Sequence, residues 1–269
     1  MKNEEYQLVH EEKKHAIISI SSYIAIFYLI SAFIATLTVN FATSYYDTTI
    51  EQLQHFLSTI DKLDLNSFVV TPVSMTYLMY NALTNLTTYI VLIITLLLIN
   101  FQYLINAIKD FFKNFVKYTT YGFLSFVIYY IASIIISLLI QSLKIESSAQ
   151  NQVLLELMIK NGFLIITFIS AVVIGPLVEE LIFRKSIFNL IQNDKIAIVV
   201  SSLVFGAIHL LSSIGSGYSF LEIIILTIPY ILFGFIFAIL YVKCNKNILP
   251  STAVHIIINA LSVFIIYFS

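Results

Sequence analysis

Residues Ala16 to Val39 read AIISISSYIAIFYLISAFIATLTV, a run with no charge, proline or glycine. As a helix rising ~1.5 Å per residue it is ~36 Å long, enough to cross a hydrocarbon core of ~30 Å. It follows a polar leader, Met1 to His15. The apolar core of a cleavable signal peptide is shorter, roughly 7–15 residues, so this run is expected to span and stay. Six further runs follow: Thr84–Leu104, Tyr118–Ile140, Gly162–Gln192, Lys195–Ile214, Phe220–Val242 and Ile248–Phe268. The fold class expected is therefore all-α, a polytopic membrane bundle of about seven transmembrane helices.

Composition points the same way. Apolar residues make up 59% of the 269 and charged residues 11%, against roughly 25% charged in a soluble domain. Only a lipid bilayer can cover that much apolar surface, so the bilayer is the first partner expected. A net charge of -1 and the lack of any basic run or Gly-rich phosphate loop argue against nucleic acid. Cys244 is the only cysteine, which rules out an intrachain disulfide. The chain divides into a cytoplasmic polar leader (1–15), N-terminal membrane helices (16–160) and a C-terminal membrane core (161–269). Between Leu65 and Ile108 the uncharged stretch is long enough for two spans. The polar middle, with Asn81, Thr84, Asn85, Thr87 and Thr88, favours one.

Seven spans with the N-terminus inside leave 11 of the 14 Lys and Arg residues on the cytoplasmic side, as the positive-inside rule requires. The expectation is a multi-pass cell-membrane protein with a cytoplasmic N-terminus and an extracytoplasmic C-terminus. One outside segment, Asp47 to Lys62, carries Ile50, Leu53, Leu57 and Ile60 at near-helical spacing. It reads as a helix lying on the membrane surface.

The C-terminal spans are unusual in holding ionisable residues. Glu179 and Glu180 lie in GPLVEELIFR (175–184), His209 in FGAIH (205–209), and His255 and Asn259 in HIIIN (255–259). Such groups at membrane depth cost about 2.5 kcal/mol or more each, so they persist where they pair or act. Glu180 and Arg184, four apart, explain each other as an ion pair. Glu179 points about 100° away from Glu180 and has no such partner. Glu222, near the outer end of its span, can reach water. A lone histidine in such a place is usually a packed, hydrogen-bonded residue, and Asn259 alone is a helix glue. Depth makes the group more than its members. Glu180 and His209 are each ~22 Å from the polar turn at Asp194–Lys195, and His255 and Asn259 share one face of the last helix at a similar level.

A carboxylate, two imidazoles and an amide suit hydrolysis of an acyl bond. Glu179 in a low-dielectric pocket is placed to take a proton from water, with His209 orienting that water. His255 and Asn259 can donate to the developing oxyanion. No Gly-x-Ser-x-Gly elbow offers a serine nucleophile, and Cys244 lies at the wrong end of its helix. The competing chemistry is zinc, for which Glu179, His209 and His255 give the right ligand count. A metal-free site is favoured, with zinc left open by the ligand count; the His-Glu-x-x-His zinc helix is absent. In HEEKKH (10–15) the histidines are five apart and face ~140° away from each other.

These residues resemble the motifs of the CAAX-processing and bacteriocin-processing (CPBP, Abi) intramembrane peptidases: Glu-Glu-x-x-x-Arg at Glu179, Glu180 and Arg184, Phe-x-x-x-His at Phe205 and His209, and His-x-x-x-Asn at His255 and Asn259. The stretch from Gly234 through Asn247 to Ile248 is similar as well, so the resemblance covers roughly Gly162 to Ala260. It implies Glu179 and His209 as the water-activating pair and His255 and Asn259 as oxyanion donors, with Glu180, Arg184 and Phe205 as structural support. It implies a membrane-associated peptide or protein substrate, and a bacterial role in peptide maturation, signalling or bacteriocin immunity. The Lys-, Asn- and Ile-rich usage suits an AT-rich bacterial genome. The alternative is a non-catalytic immunity or scaffold protein. A transporter fits less well, since no inverted repeat is evident.

Overall fold

The computed structural model describes residues 2–59, 65, 67–143, 150–211 and 219–269, with side chains from His10 onward within those ranges. Among the described residues there are eight helical rods and no strand. We number them α1 (Lys2–Ile24, continuing through a π-helical Ala25–Ile30 into Ser31–Tyr45), α2 (Ile50–Thr59), α3 (Pro72–Lys113) and α4 (Phe115–Ser142). The C-terminal half supplies α5 (Gln150–Leu190), α6 (Asp194–Leu210), α7 (Phe220–Lys243) and α8 (Ile248–Phe268).

Six of these, α1, α3, α4, α5, α7 and α8, are long and apolar enough to cross a membrane. Seven spans were expected and six rods qualify among the described residues; α6, the counterpart of the expected fifth span, is short. Its 17 residues rise only ~25 Å, less than the ~30 Å of a hydrocarbon core. The Asn193 side chain fixes its start by accepting from the backbone N–H groups of Lys195 and Ile196. Residues 212–214 of the expected fifth span lie outside the described residues. One span serves the stretch 65–108, as the polar middle argued: from Pro72 onward it is a single helix, α3, kinked at Asn100. It begins with a reciprocal cap between Thr71 and Ser74 and with Pro72 in its first turn.

The fourth rod differs from its expected bounds. α5 starts at Gln150, twelve residues before Gly162, and the point where the apolar run begins is an internal kink. Asn161 and Gly162 leave helical geometry there, Gly162 with φ 93°, a left-handed conformation that glycine adopts without a Cβ penalty. Glu156 and Lys160 interrupt the hydropathy yet pair with each other at 2.9 Å on the helix surface. The polar leader likewise is no separate segment, because α1 is helical from Lys2.

Of the amphipathic segment, Ile50 to Thr59 forms α2, with Leu53 buried and Ile50 and Leu57 partly exposed. Its last expected contact, Ile60, lies outside the described residues. Phe56 packs on Tyr77 of α3 at 5.9 Å between ring centroids.

Large apolar side chains such as Leu29, Leu98, Val116 and Ile165 face outward, and polar groups face inward. Hydroxyls and amides join the rods. Thr38 meets Thr84 at 2.6 Å, and Asn100 donates to Ser19 at 3.2 Å, both between α1 and α3. At the opposite end of α3, Asn247 donates to Asp110 at 3.0 Å and to the Ala107 carbonyl at 2.8 Å. Its own side-chain oxygen accepts from Leu249 N–H and caps α8. The start of the helix that carries His255 and Asn259 is thereby tied to α3.

Candidate active site

Glu180 and Arg184 set the frame. Both side chains are fully buried, with Arg184 Nε 3.3 Å from Glu180 Oε2. Arg184 also donates to the Gly234 carbonyl of α7 at 3.4 Å. Its guanidinium lies 4.9 Å from the centroid of the Phe205 ring, so Phe205 of α6 covers the cation with an aromatic face. Neither Glu180 nor Arg184 lines the large cavity of about 890 Å³ between the rods. Glu179, Phe205, His209, His255 and Asn259 all do.

The two adjacent glutamates diverge, as their angular separation on the helix requires, yet both reach one imidazole. His255 Nε2 is 3.7 Å from Glu179 Oε2, and His255 Nδ1 is 3.6 Å from Glu180 Oε1. The chain is π-helical from Glu180 to Ser186, a feature that recurs at functional sites. The His255 ring is held at its edges by Phe233 and Phe237, 4.6 and 5.5 Å away between centroids. With Arg184 on its far side, Glu180 faces Nδ1, and Nε2 is turned to Glu179. The separations are wider than hydrogen bonds, a common state for catalytic contacts without substrate.

Glu179 has a second neighbour that sequence reasoning missed. Tyr89 of α3 donates its hydroxyl to Glu179 Oε1 over 3.5 Å. Gly175, four residues before Glu179, lies beside the Tyr89 ring: a Cβ there would touch the ring in ordinary contact at 3.7 Å and crowd the Ser170 carbonyl at 3.0 Å. Nothing in the sequence distinguishes Tyr89 among 17 tyrosines. Its one signal is its place beside the polar middle of α3.

His209 reaches the same cavity by other contacts. Its Nδ1 is 2.8 Å from the Phe205 carbonyl, and its ring stacks on Tyr230 at 4.6 Å. Among the described residues it shares neither a hydrogen bond nor an ion pair with Glu179. Asn259 donates to the Ala171 carbonyl at 2.9 Å, joining α8 to α5, which leaves the second N–H of its amide unassigned. Among the described residues no three His, Cys, Asp or Glu side chains converge as a metal site. Glu179 and His255 face each other, but His209 stands apart, so the zinc set does not fit this arrangement.

Glu222, read as reaching water, has a local structural role. Its carboxylate accepts from Ser219 N–H at 2.7 Å in the reciprocal cap that starts α7. Cys244 is buried between α7 and α8. Burial pushes its thiol up to about 12, so it stays protonated at neutral pH.

Fold and site together define a polytopic helical membrane protein with a polar centre buried among its C-terminal helices. Residues 161–261 are similar to the family described as Rce1-like, type II CAAX prenyl endopeptidase. An uncharacterized protein of Mycoplasma capricolum subsp. capricolum is 29% identical over 147 residues, covering 52% of this chain and 41% of the relative. The UPF0177 protein YxdF of Lactococcus lactis subsp. lactis is 37% identical over 87 residues, covering 32% of this chain and 42% of the relative. The chain thus spans about two fifths of the length of these relatives. No solved structure matches.

Proposed function

We propose that this protein is an intramembrane endopeptidase that hydrolyses a peptide bond of a membrane-associated protein or peptide with a water activated by Glu179. The observation that carries this reading is the Glu179 carboxylate on the wall of the cavity, 3.7 Å from His255 Nε2. Glu179 takes a proton from water as the water oxygen bonds to the scissile carbonyl carbon. The oxyanion is met by the free N–H of Asn259 and by His255, and His209 aligns the water. Collapse breaks the C–N bond, and the proton held by Glu179 passes to the leaving amine. No step needs a metal, and we propose that none takes part. The resemblance of the motifs to those of CAAX-processing and bacteriocin-processing peptidases supports peptide maturation, signalling or bacteriocin immunity as the proposed role. The charge distribution favours a cytoplasmic N-terminus and an extracytoplasmic C-terminus in the cell membrane.

Glu179→Gln keeps size and hydrogen bonding but removes the base. Cleavage of a candidate peptide by the purified protein should vanish while expression and melting stay near normal. Undiminished turnover would remove Glu179 from the mechanism. A second reading, a non-catalytic immunity or scaffold protein, draws on the engagement of Asn259 with Ala171 O and of His209 with Phe205 O, both packing roles. It gains if the biological phenotype survives Glu179→Gln.

A further inference from the structure

The polar middle of α3 lies on one face. Tyr77, Asn81, Asn85 and Tyr89 recur at every fourth residue, and all four line the cavity. The row ends at the carboxylate, where the Tyr89 hydroxyl meets Glu179 Oε1. Its other end lies beside α2, since Leu57 lines the same cavity and Phe56 packs on Tyr77. Asn81 donates one N–H to the Tyr77 carbonyl at 2.8 Å and its side chain also engages the Tyr77 hydroxyl, which leaves its oxygen open. Asn85 is exposed to the cavity and has no hydrogen-bond partner among the described residues. The facing wall, from the start of α5, offers further amides, including Asn151, whose oxygen accepts from Tyr230 at 3.3 Å.

Amides are not needed to pack helices against lipid, and a membrane-spanning rod with two asparagines turned into a cavity carries a cost. A side-chain amide is a donor and an acceptor in one plane, the same pair that a peptide unit presents. The spacing matches too. Residues four apart on a helix rise ~6.0 Å, and alternate residues of an extended chain, which present their main-chain groups on one side, repeat every ~6.6 Å. Over the three steps from Tyr77 to Tyr89 the two rulers drift apart by less than ~2 Å.

We propose that this row is a main-chain recognition track, which holds about seven residues of an extended, unmodified peptide leading to the scissile bond at Glu179. The substrate class is then a peptide read by its backbone. Its N–H and C=O groups, which are costly to bring unpaired into a membrane, find partners at Asn81 and Asn85, and its side chains are read only loosely. This deepens, and rests on, the peptidase reading of the same site.

A binding experiment separates the two. The full chain, carrying Cys244→Ala, Leu154→Cys and Glu179→Gln, has a single thiol on the cavity wall and does not consume a probe. The readout is the rate at which that introduced thiol is labelled by a water-soluble maleimide. The probe is an end-capped octapeptide mixture of random sequence, compared with the same mixture N-methylated along its backbone. The unmodified mixture should slow labelling and the N-methylated one should not. Asn81→Leu and Asn85→Leu should each weaken protection about fivefold, as one hydrogen bond is lost, and Asn81→Gln with Asn85→Gln should retain it. Equal protection by the N-methylated mixture, no protection at all, or protection indifferent to the leucine substitutions in a protein of unchanged melting temperature would overturn the track. Protection that depends on both amides, with no cleavage of the mixture by protein retaining Glu179, would support the track and count against the peptidase reading.

Discussion

Arg184→Met should be among the most damaging single substitutions in the protein, and its damage should be reversible. The arginine and Glu180 are both fully buried, 3.3 Å apart, with the guanidinium also on Phe205 and the Gly234 carbonyl. Methionine fills much of the same volume but leaves Glu180 buried without its cation. Breaking such a pair from one side costs about 3–5 kcal/mol, whereas replacing both partners by apolar side chains is close to neutral. At 2–4 °C per kcal/mol for a chain of this size, the apparent melting temperature should fall by roughly 6–20 °C. Adding Glu180→Met should return most of that loss. Activity should not return with it, because Glu180 also faces His255 Nδ1 at 3.6 Å and, on the proposed mechanism, holds the ring that meets the oxyanion. Losing the carboxylate that orients a catalytic imidazole lowers kcat by orders of magnitude, up to roughly 10⁴. The assay is melting of purified protein in detergent for wild type, both single variants and the double, followed by turnover of a cleaved peptide. An Arg184→Met protein that melts within about 2 °C of wild type would refute the buried-charge account. A double variant that recovers activity would refute the role of Glu180 in holding His255.

Tyr89→Phe removes the hydroxyl that reaches Glu179 Oε1. Losing one hydrogen bond to a charged group should lower kcat about 10-fold, with KM little changed. If KM rises and kcat holds, Tyr89 contacts substrate instead. Cys244, its thiol pushed up to about 12 by burial, stays neutral at pH 7–8 and should resist maleimide until the protein is unfolded. Ready labelling of folded protein would show that the α7–α8 end opens. Activity should survive exhaustive chelation with zinc absent by elemental analysis. Activity lost on chelation and restored by zinc would replace the water-activation mechanism with a metal one.

The bundle was legible because lipid-facing surface leaves an unmistakable record of long charge-free runs such as Ala16 to Val39. The candidate site was legible because ionisable residues within such runs are rare, and Glu179, Glu180, Arg184, His209 and His255 all sit where a lipid-facing position would be penalised. What stayed hidden depended on pairing in space. The start of α5 was obscured by Glu156 and Lys160, two charges that end an apolar run on paper yet neutralise each other at 2.9 Å. The end of α6 at Leu210 could not be seen because the uncharged pattern runs on past it to Ile214. The contact from Glu180 to His255 needs the relative placement of α5 and α8, which spacing along either helix does not contain. The asparagines of α3 were visible as an argument against two spans. Their use became apparent only when Tyr77, Asn81, Asn85 and Tyr89 proved to line one cavity.

The family match begins at residue 161, yet the site it marks is not complete there. Burial of a carboxylate, an imidazole and an ion pair is tolerable only if every side of the group is either paired or walled from lipid. The C-terminal rods supply the pairing: Arg184 for Glu180, and His255 between the two glutamates. Part of the wall comes from elsewhere. Tyr89 of α3 closes on Glu179, and Tyr23 of α1 meets Phe183 edge to face at 6.2 Å on the same helix. Asn247, at the head of the helix bearing His255 and Asn259, is anchored to Asp110 and Ala107 at the far end of α3. The N-terminal half therefore fixes the depth of α8, shields the charged set from lipid and lines the approach to Glu179. The chemistry-bearing motifs sit in one half of the chain, and the cavity that would bring a substrate to them is built by both.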